Sequence, residues 1–407
     1  MNRVHRTVWS STRDAFVAVS EITTGQGKGS RRGAATSGGG LLPFGLLITG
    51  IAAALQPVHA LPLNGQVTNG NASVTQSAAS TTIQQNSQTA TLNWSSFNIG
   101  RGESVVFRQP GAGAIALNRI ADTSASQILG ALTANGQIFL VNPNGILFGS
   151  GAQLNVGGLV ASTLDIADSA LSQPDKVFAG TGKGRIDNFG RIKAGEGGYV
   201  AFIGNQVGNQ GSIEAARGTV AMGAGEQVTL RFDQTRLLGL AVDRNTLGNL
   251  ADNQQLIQAD GGRVILSAGA RDSVLAGVVN NSGVVQARTV ENHNGVITLG
   301  AGQVFQAGTL DAGAPAGGDA GSSRVEASAV LDAGRTEATS ASGRGGQVTL
   351  TADGGLVQTS QARVSASGAV EGGRITVQGH NVFSSATLQA NGTGAGASGG
   401  RIDMLAQ

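Results

Sequence analysis

Cysteine is absent from the 407 residues, which excludes disulfides and thiolate metal sites. A small exported domain without disulfides struggles to bury enough core, whereas a long stack of repeats with a continuous core does not need them. Aromatic residues are scarce at 4% and charged residues at 13%. With 40% hydrophobic residues the chain is nonetheless too apolar for global disorder. The longest apolar run, residues 41–55, is shorter than the ~20 residues that span a bilayer. The pI of about 9.4 suggests a polyanionic partner until the charge is located. Residues 1–60 hold six of the basic residues and two of the acids. The remainder carries 21 basic and 23 acidic residues, with no basic block to neutralise phosphates, so nucleic acid is not an expected partner.

The residues of catalysis and metal binding are equally thin. Beyond residue 60 only His293 and His380 remain, without metal-ligand spacing, so no metal and no cofactor are expected. Residues 396–400 match Gly-x-Ser-x-Gly, and residues 394–399 match Gly-x-Gly-x-x-Gly. Both lie in a glycine-rich tract without the strand–turn–helix context that such motifs require. A polysaccharide lyase on a stacked-strand scaffold would need clustered carboxylates beside a basic residue, and the acids here are dispersed. The expectation is therefore not an enzyme. Asn-x-Ser/Thr sequons at Asn71, Asn93, Asn280 and Asn391 are at the level expected by chance in an Asn-, Ser- and Thr-rich chain.

What the chain does contain begins with an address. The run LLPFGLLITGIAAAL follows a basic region and ends near Val58-His59-Ala60, which places small residues for signal cleavage between Ala60 and Leu61. The first 21 residues, closing with Phe16-Val17-Ala18-Val19-Ser20-Glu21, resemble the extended signal-peptide region of very large Gram-negative exported proteins.

After residue 60 one pattern recurs: a glycine, then a short alternation of apolar and small residues. Gly262-Arg263-Val264-Ile265-Leu266, Gly346-Gln347-Val348-Thr349-Leu350 and Gly373-Arg374-Ile375-Thr376-Val377 are examples. Period two with Val, Ile and Thr means strand. A second set reads apolar-x-Ala: Val285-Gln286-Ala287, Leu310-Asp311-Ala312, Leu331-Asp332-Ala333 and Val364-Ser365-Ala366. Two or three short strands per repeat describe an all-β solenoid, a right-handed parallel β-helix with an N-terminal cap and small β/α excursions. At about 22 residues per coil and about 4.8 Å per layer, roughly 15 coils would make a rod of about 70 Å. Residues 233–258 break the pattern and read as an excursion with some helix; residues 314–323 read as a loop or weak joint. Ten aromatics from Trp94 to Phe232 are followed only by Phe305 and Phe383, so the first half is the more individual domain.

Residues 134–164, ANGQIFLVNPNGILFGSGAQLNVGGLVASTL, follow Asn93-Trp94-Ser95-Ser96-Phe97-Asn98-Ile99-Gly100. Together they closely resemble the secretion domain of the filamentous haemagglutinin and high-molecular-weight adhesin family. The resemblance implies export by two-partner secretion. Its partners would be an outer-membrane β-barrel transporter with periplasmic receptor domains, the inner-membrane Sec machinery, and host-cell or bacterial surface receptors. The expected place is secreted or on the surface of a Gram-negative bacterium, serving adhesion. Contact-dependent toxin, haemolysin and, last, a polysaccharide-active enzyme stand as alternatives. The expected domains are 1–60 signal, 61–310 secretion domain and 311–407 Gly/Ala-rich shaft, incomplete at its C-terminus. The signature is Asn142-Pro143-Asn144-Gly145-Ile146, supported by Asn93, Trp94, Phe97, Asn98 and Gly100. Pro143 fixes φ, and Asn144-Gly145 tolerates left-handed φ, so a tight turn is expected there. It either shapes the fold or touches the transporter. Many family members carry an earlier Asn-Pro-Asn-Leu; here the comparable residues 109–119, QPGAGAIALNR, resemble the adhesin-like branch more.

Overall fold

The computed structural model describes residues 60–406 apart from 245, 247 and 270–276, and also the backbone of His5–Ser10 and Ala15–Ser20, which pair antiparallel. Units 1–56 and 57–407 are taken separately. The apolar run at 41–55 lies outside the described residues.

From residue 60 the chain winds as a right-handed parallel β-helix with three sheets, each rung giving one strand to each. In the first sheet Val105 stacks on Leu132, then Leu154, Ile192, Ile213, Ile257, Val285 and Leu310, each on the next. In the second sheet Ile138 begins a column that continues through Leu159, Val200, Val220, Val264 and Ile297. These side chains lie in one continuous core. At the N-terminal end Gln66–Asn69 and Ala72–Gln76 pair antiparallel with the first strands and cover the opening.

The described residues make twelve rungs, fewer than the 15 expected. At about 4.8 Å per step the rod is about 53 Å long. Most coils are longer than 22 residues: Val285, Leu310, Thr336, Val364 and Leu388 follow one another at 24 to 28 residues. Two steps, Leu154 to Ile192 and Ile213 to Ile257, are 38 and 44 residues because chain leaves the helix and returns. The excursion holds Asp165–Ile166, Asp175–Ala179, Gln227–Asp233 and Arg236–Arg244 in one antiparallel sheet.

That sheet corrects two expectations. Among the described residues of 233–258 there is no helix: Arg236–Arg244 is a strand of the excursion, and Leu250–Asn253 and Leu256–Gln258 belong to rungs. The helical element among the described residues is one 3-10 turn, Asp168–Ser172. The excursion covers the outer face of the second sheet and makes a second core with Phe139, Phe178, Tyr199 and Phe232. Tyr199 is fully buried, its hydroxyl donating to Gln137 Oε1 at 2.6 Å, and burial raises its pKa well above the usual tyrosine value. The early aromatics are thus divided between two cores, which is why the first half needs more of them.

Leu331-Asp332-Ala333 also departs from expectation. Leu331 faces solvent at 40% exposure and Asp332 points inward at 0%, in the third sheet, while Thr336 occupies the first-sheet column. Residues 314–321 are a turn tied to the next rung, Ala320 N–H donating to Arg344 O at 3.0 Å.

The three corners differ. Entering the second sheet, a column of glycines stacks backbone on backbone. A Cβ on Gly346 would lie 1.9 Å from Gly321 O, and one on Gly373 2.0 Å from Gly346 O. Any side chain would overlap the rung beneath, hence the glycine before each strand in the sequence. Between the third and first sheets Asn188 and Asn209 use Oδ1 to accept the N–H of Gly190 and Gly211. Their Nδ2 groups reach the next rung: Asn188 donates to Asn209, Asn209 to Asn253, Asn253 to Asn281, and Asn281 to Gln306, at 2.8–2.9 Å. Excursions leave only from the corner between the second and third sheets.

Phe232→Ala should cost about 3–5 kcal/mol by emptying the second core. Phe305→Ala, on the exposed outer face of the third sheet, should stay within about 0.5 kcal/mol. Urea unfolding followed by circular dichroism measures both; equal costs would contradict a second core under the excursion.

Candidate functional site

The strands on either side of the signature are short and apolar, Gln137–Val141 and Ile146–Phe148, and Pro143 prevents the first from continuing. Gly145 N–H donates to Asn142 O at 3.0 Å, closing a four-residue turn. Gly145 has φ +110°, whereas Asn144 is not among the positive-φ residues. The expectation that Asn144 shares the left-handed conformation is therefore corrected: proline second, Asn third with negative φ, and glycine last give a type I turn.

Asn142 is completely buried and uses both ends of its amide. Oδ1 accepts the Asn144 N–H at 2.9 Å; Nδ2 donates to Ser124 O at 3.1 Å and Ser126 Oγ at 3.0 Å. Asn142 thus ties the turn to the preceding rung. Asn144 Nδ2 adds a bond to Asp122 O at 2.7 Å. On the other side Gly184 N–H donates to Pro143 O at 3.1 Å, and a Cβ on Gly145 would lie 2.7 Å from Arg185 O. Ile146 is buried between Ser126 and Ile186. Of the five signature residues only Pro143 and Asn144 are exposed.

The supporting residues gather at the first rung, away from that turn in sequence. Trp94 is buried, its Nε1–H donating to Asn118 Oδ1 at 2.9 Å, its ring meeting Phe97 edge to face at 5.4 Å. Asn98 Oδ1 accepts the Gln127 N–H at 2.7 Å, holding the next rung. Gly100 N–H donates to Glu103 Oε2 at 2.7 Å, and the same carboxylate accepts the Ala60 N–H at 3.0 and 3.2 Å. Leu61 is buried at 5% exposure, so the chain enters the cap directly after Ala60. Asn93 is exposed.

Three features had no sequence signal. Asn118, the acceptor for Trp94, lies in a strand and carries no motif. Gln109, in the stretch where the family's earlier Asn-Pro-Asn-Leu would stand, is buried and knots three rungs. Its Nε2 donates to Gln85 Oε1 at 3.1 Å and Ala114 O at 3.0 Å, and its Oε1 accepts the Gly136 N–H at 3.1 Å. The third is a clamp built from distant positions. Asp168 accepts from Arg119 at 2.5 Å, Thr91 Oγ1 at 2.9 Å and Asn69 Nδ2 at 3.3 Å, while Arg119 also reaches Asp165 at 2.9 Å. It fastens the N-terminal cap to the excursion. Burial raises the Asp168 pKa, but hydrogen bonds from Arg119, Thr91 and Asn69 outweigh it and hold the carboxyl below its usual value.

His293 and His380 are both exposed, and the described residues contain no cluster of three or more potential metal ligands. The arrangement ties together a cap, a turn and an excursion, all in the first half of the rod.

Comparison with known proteins takes in that half and extends beyond it. A family model described as TPS secretion domain matches residues 58–313, and one described as Extended Signal Peptide of Type V secretion system matches residues 1–49. The chain is 34% identical over 269 residues to a heme/hemopexin-binding protein of Haemophilus influenzae strain Rd, covering 64% of this chain and 29% of that one. A second Haemophilus influenzae protein of the same description is 32% identical over 247 residues, covering 55% and 26%. The matched part is under a third of these relatives' length. The crystal structure of the HMW1 secretion domain from Haemophilus influenzae superposes with a TM-score of 0.74 at 25% identity, over 85% of this chain and 96% of that one.

Two predictions follow from the turn and the clamp. Asn142→Ala should cost about 2–3 kcal/mol, because it strips buried partners of their bonds. Pro143→Ala and Asn144→Ala should each cost under about 1 kcal/mol. Urea unfolding gives the order, and secreted yield should fall in the same order; an Asn142→Ala protein of normal stability that is not secreted would make Asn142 a transporter contact. For the clamp, a carboxyl depressed in the fold contributes stability above its unfolded pKa of about 3.9 and loses it as pH falls through the lower folded value. Asp168→Asn should therefore lower the melting temperature at pH 7 and narrow its gap to the parent below about pH 4, read by thermal scans across pH.

Proposed function

The chain belongs to the TPS secretion-domain family, and from that premise we propose that residues 61–310 are the module on which export and extracellular folding depend. The protein is exported through the periplasm and outer membrane to the cell surface, and an outer-membrane transporter is its partner. Its family is one of secretion domains rather than of enzymes.

The finer reading begins at the N-terminus. Residues 1–60 serve as the signal taken up by the inner-membrane Sec machinery, and the cut falls after Ala60. The transporter is a barrel with periplasmic receptor domains. Residues 311–407 are shaft. Displayed on the surface, the protein serves adhesion by binding a host-cell or bacterial surface receptor, a reading supported by the adhesin-like form of residues 109–119. Contact-dependent toxin delivery and haemolysis are the competing outcomes, and haem or hemopexin binding is the one suggested by the relatives' names.

One observation carries the export role: the family match covers the half of the rod that holds the cap, the clamp, the signature turn and the second core. Such a module can fold without the rest. Each further rung then needs only the rung before it, since solenoid stability is a sum of repeat and neighbour terms. Burying a Val, Leu or Ile contributes about 1.5–3 kcal/mol. Rungs that close outside the cell thus oppose backsliding without a nucleotide at the outer membrane.

Deleting the transporter gene should leave the protein periplasmic and degraded, with secreted yield reduced at least about tenfold; undiminished secretion would end the proposal. Purified surface protein should then bind target cells in a saturable way. Failure of binding with normal secretion would remove adhesion while leaving the export role intact.

A further inference from the structure

The rung of residues 322–337 is unlike its neighbours. The first-sheet column is aliphatic from Val105 to Leu388 except at Thr336, which lies between Leu310 and Val364. The second-sheet column is aliphatic from Ile138 to Ile402 except at Ser323, between Ile297 and Val348. Both hydroxyls are buried and meet no hydrogen-bond partner among the described residues. A buried polar group without a partner opposes folding. Two of them therefore sit in the walls of a single rung.

The third wall of that rung holds Asp332, where the amide ladder changes direction. From Asn188 to Gln306 every side-chain N–H points toward the C-terminal end. The turn N–H groups of Gly190 and Gly211 occupy Oδ1 of Asn188 and Asn209, so this direction is fixed. Gln306 receives the last of these bonds on Oε1 and turns its Nε2 to Gly308 O at 2.9 Å. Beyond it the direction is opposite. Ser384 donates to Gln358 Oε1 at 2.9 Å, and Gln358 Nε2 donates to Asp332 Oδ2 at 2.9 Å. Asp332 Oδ1 accepts the Gly334 N–H at 3.1 Å. An ionised carboxylate has no proton to give, so Asp332 donates nothing to Gln306, its register partner.

We propose that the rung of residues 322–337 is a built-in joint of the rod, where two oppositely directed ladders meet unlinked and where the later rungs part from the secretion module. The matched family segment ends at residue 313, one strand before it. The joint answers to protons. Burial raises the Asp332 pKa, against the opposing hydrogen bonds from Gln358 and Gly334. The strands above and below set Gln306 and Gln358 against the carboxyl. The charged groups beside its turn are Arg335, paired with Glu337, Arg363 one rung on, and Asp311, paired with Arg288. A carboxyl raised in the fold favours the folded state when protonated. The rung is firmest at low pH and loosens as pH climbs from the ordinary carboxylate value through the raised one. When protonated, Asp332 gains a donor for Gln306 and the ladder becomes continuous.

Hydrogen exchange of the mature protein at pH 7.5 tests this. Amides of 347–358, 374–384 and 401–406 should exchange together and faster than those of 256–306, with a step at 322–337 rather than a gradual increase toward the end. Asp332→Asn supplies an amide that can both accept and donate; it should shrink the step and raise the melting temperature of the later rungs by about 2–4 °C. Lowering the pH toward the ordinary carboxylate range should shrink the step in the parent and leave Asp332→Asn unchanged. The double variant Ser323→Val with Thr336→Val should shrink it independently. If Asp332→Asn folds poorly, Asn253→Asp offers the converse, since it should create a second step upstream. A gradual profile, or a step indifferent to all these changes, overturns the joint. A step that responds to the valines but not to Asp332→Asn or pH overturns the ladder's part in it.

Discussion

Parallel stacking in register is the constraint on which the rest of this molecule depends. Each rung rests on the one before it at about 4.8 Å, so inward side chains stack in columns and each must suit the residues above and below it. Aliphatic columns satisfy this by burying area. The asparagine column satisfies it differently, since an amide with one acceptor and two donor hydrogens can serve its own turn and its neighbour at once. The same spacing demands glycine where two backbones touch. Little in the rod can change at one level without being felt at the next.

The first half of the chain adds a layer that the later rungs lack. Its excursion sheet covers the outer face of the second sheet with Phe178, Leu230 and Phe232, and the Arg119–Asp168 clamp joins that excursion to the cap. Rungs 21 to 44 residues long are thus fastened by contacts spanning 49 to 99 residues. The module gains a stability of its own, beyond the nearest-neighbour kind. The later rungs, with exposed Phe305, Leu331, Val357 and Phe383 in one column of the third sheet, have only the stacking.

Fold class was legible in the sequence because its cause repeats: a glycine that must clear a carbonyl, followed by residues alternating in and out, recurs often enough to read. The Asn142–Ile146 turn was legible for the same local reason, with proline and glycine marking fixed dihedrals. What could not be read were matters of register and partnership. Leu331-Asp332 has the same alternation whichever residue faces inward, and only its neighbours in the stack decide. Leu237, Leu238 and Leu240 suit helix or strand alike; pairing with Gln227–Asp233 decided for strand. Asp168 and Asn118 are ordinary residues until Thr91, Arg119 and Trp94 arrive from elsewhere in the chain.

The three corners of the coil differ in what they allow. At one, glycine backbones touch; at another, each amide is engaged on both sides; at the third, the chain is free to leave and return, and both excursions do so. The corner between the third and first sheets holds two to four residues throughout, whereas the glycine corner lengthens from two residues at 135–136 to eleven at 390–400, so sequence can be added at two edges of the rod. Loops added at either edge stack above one another along the rod, while the amide corner keeps its length. A surface protein built like this can change what it displays without altering the rod that displays it. For the same reason the excursion corner, at positions such as Ser328 and Gly354, is a natural place to graft a foreign peptide.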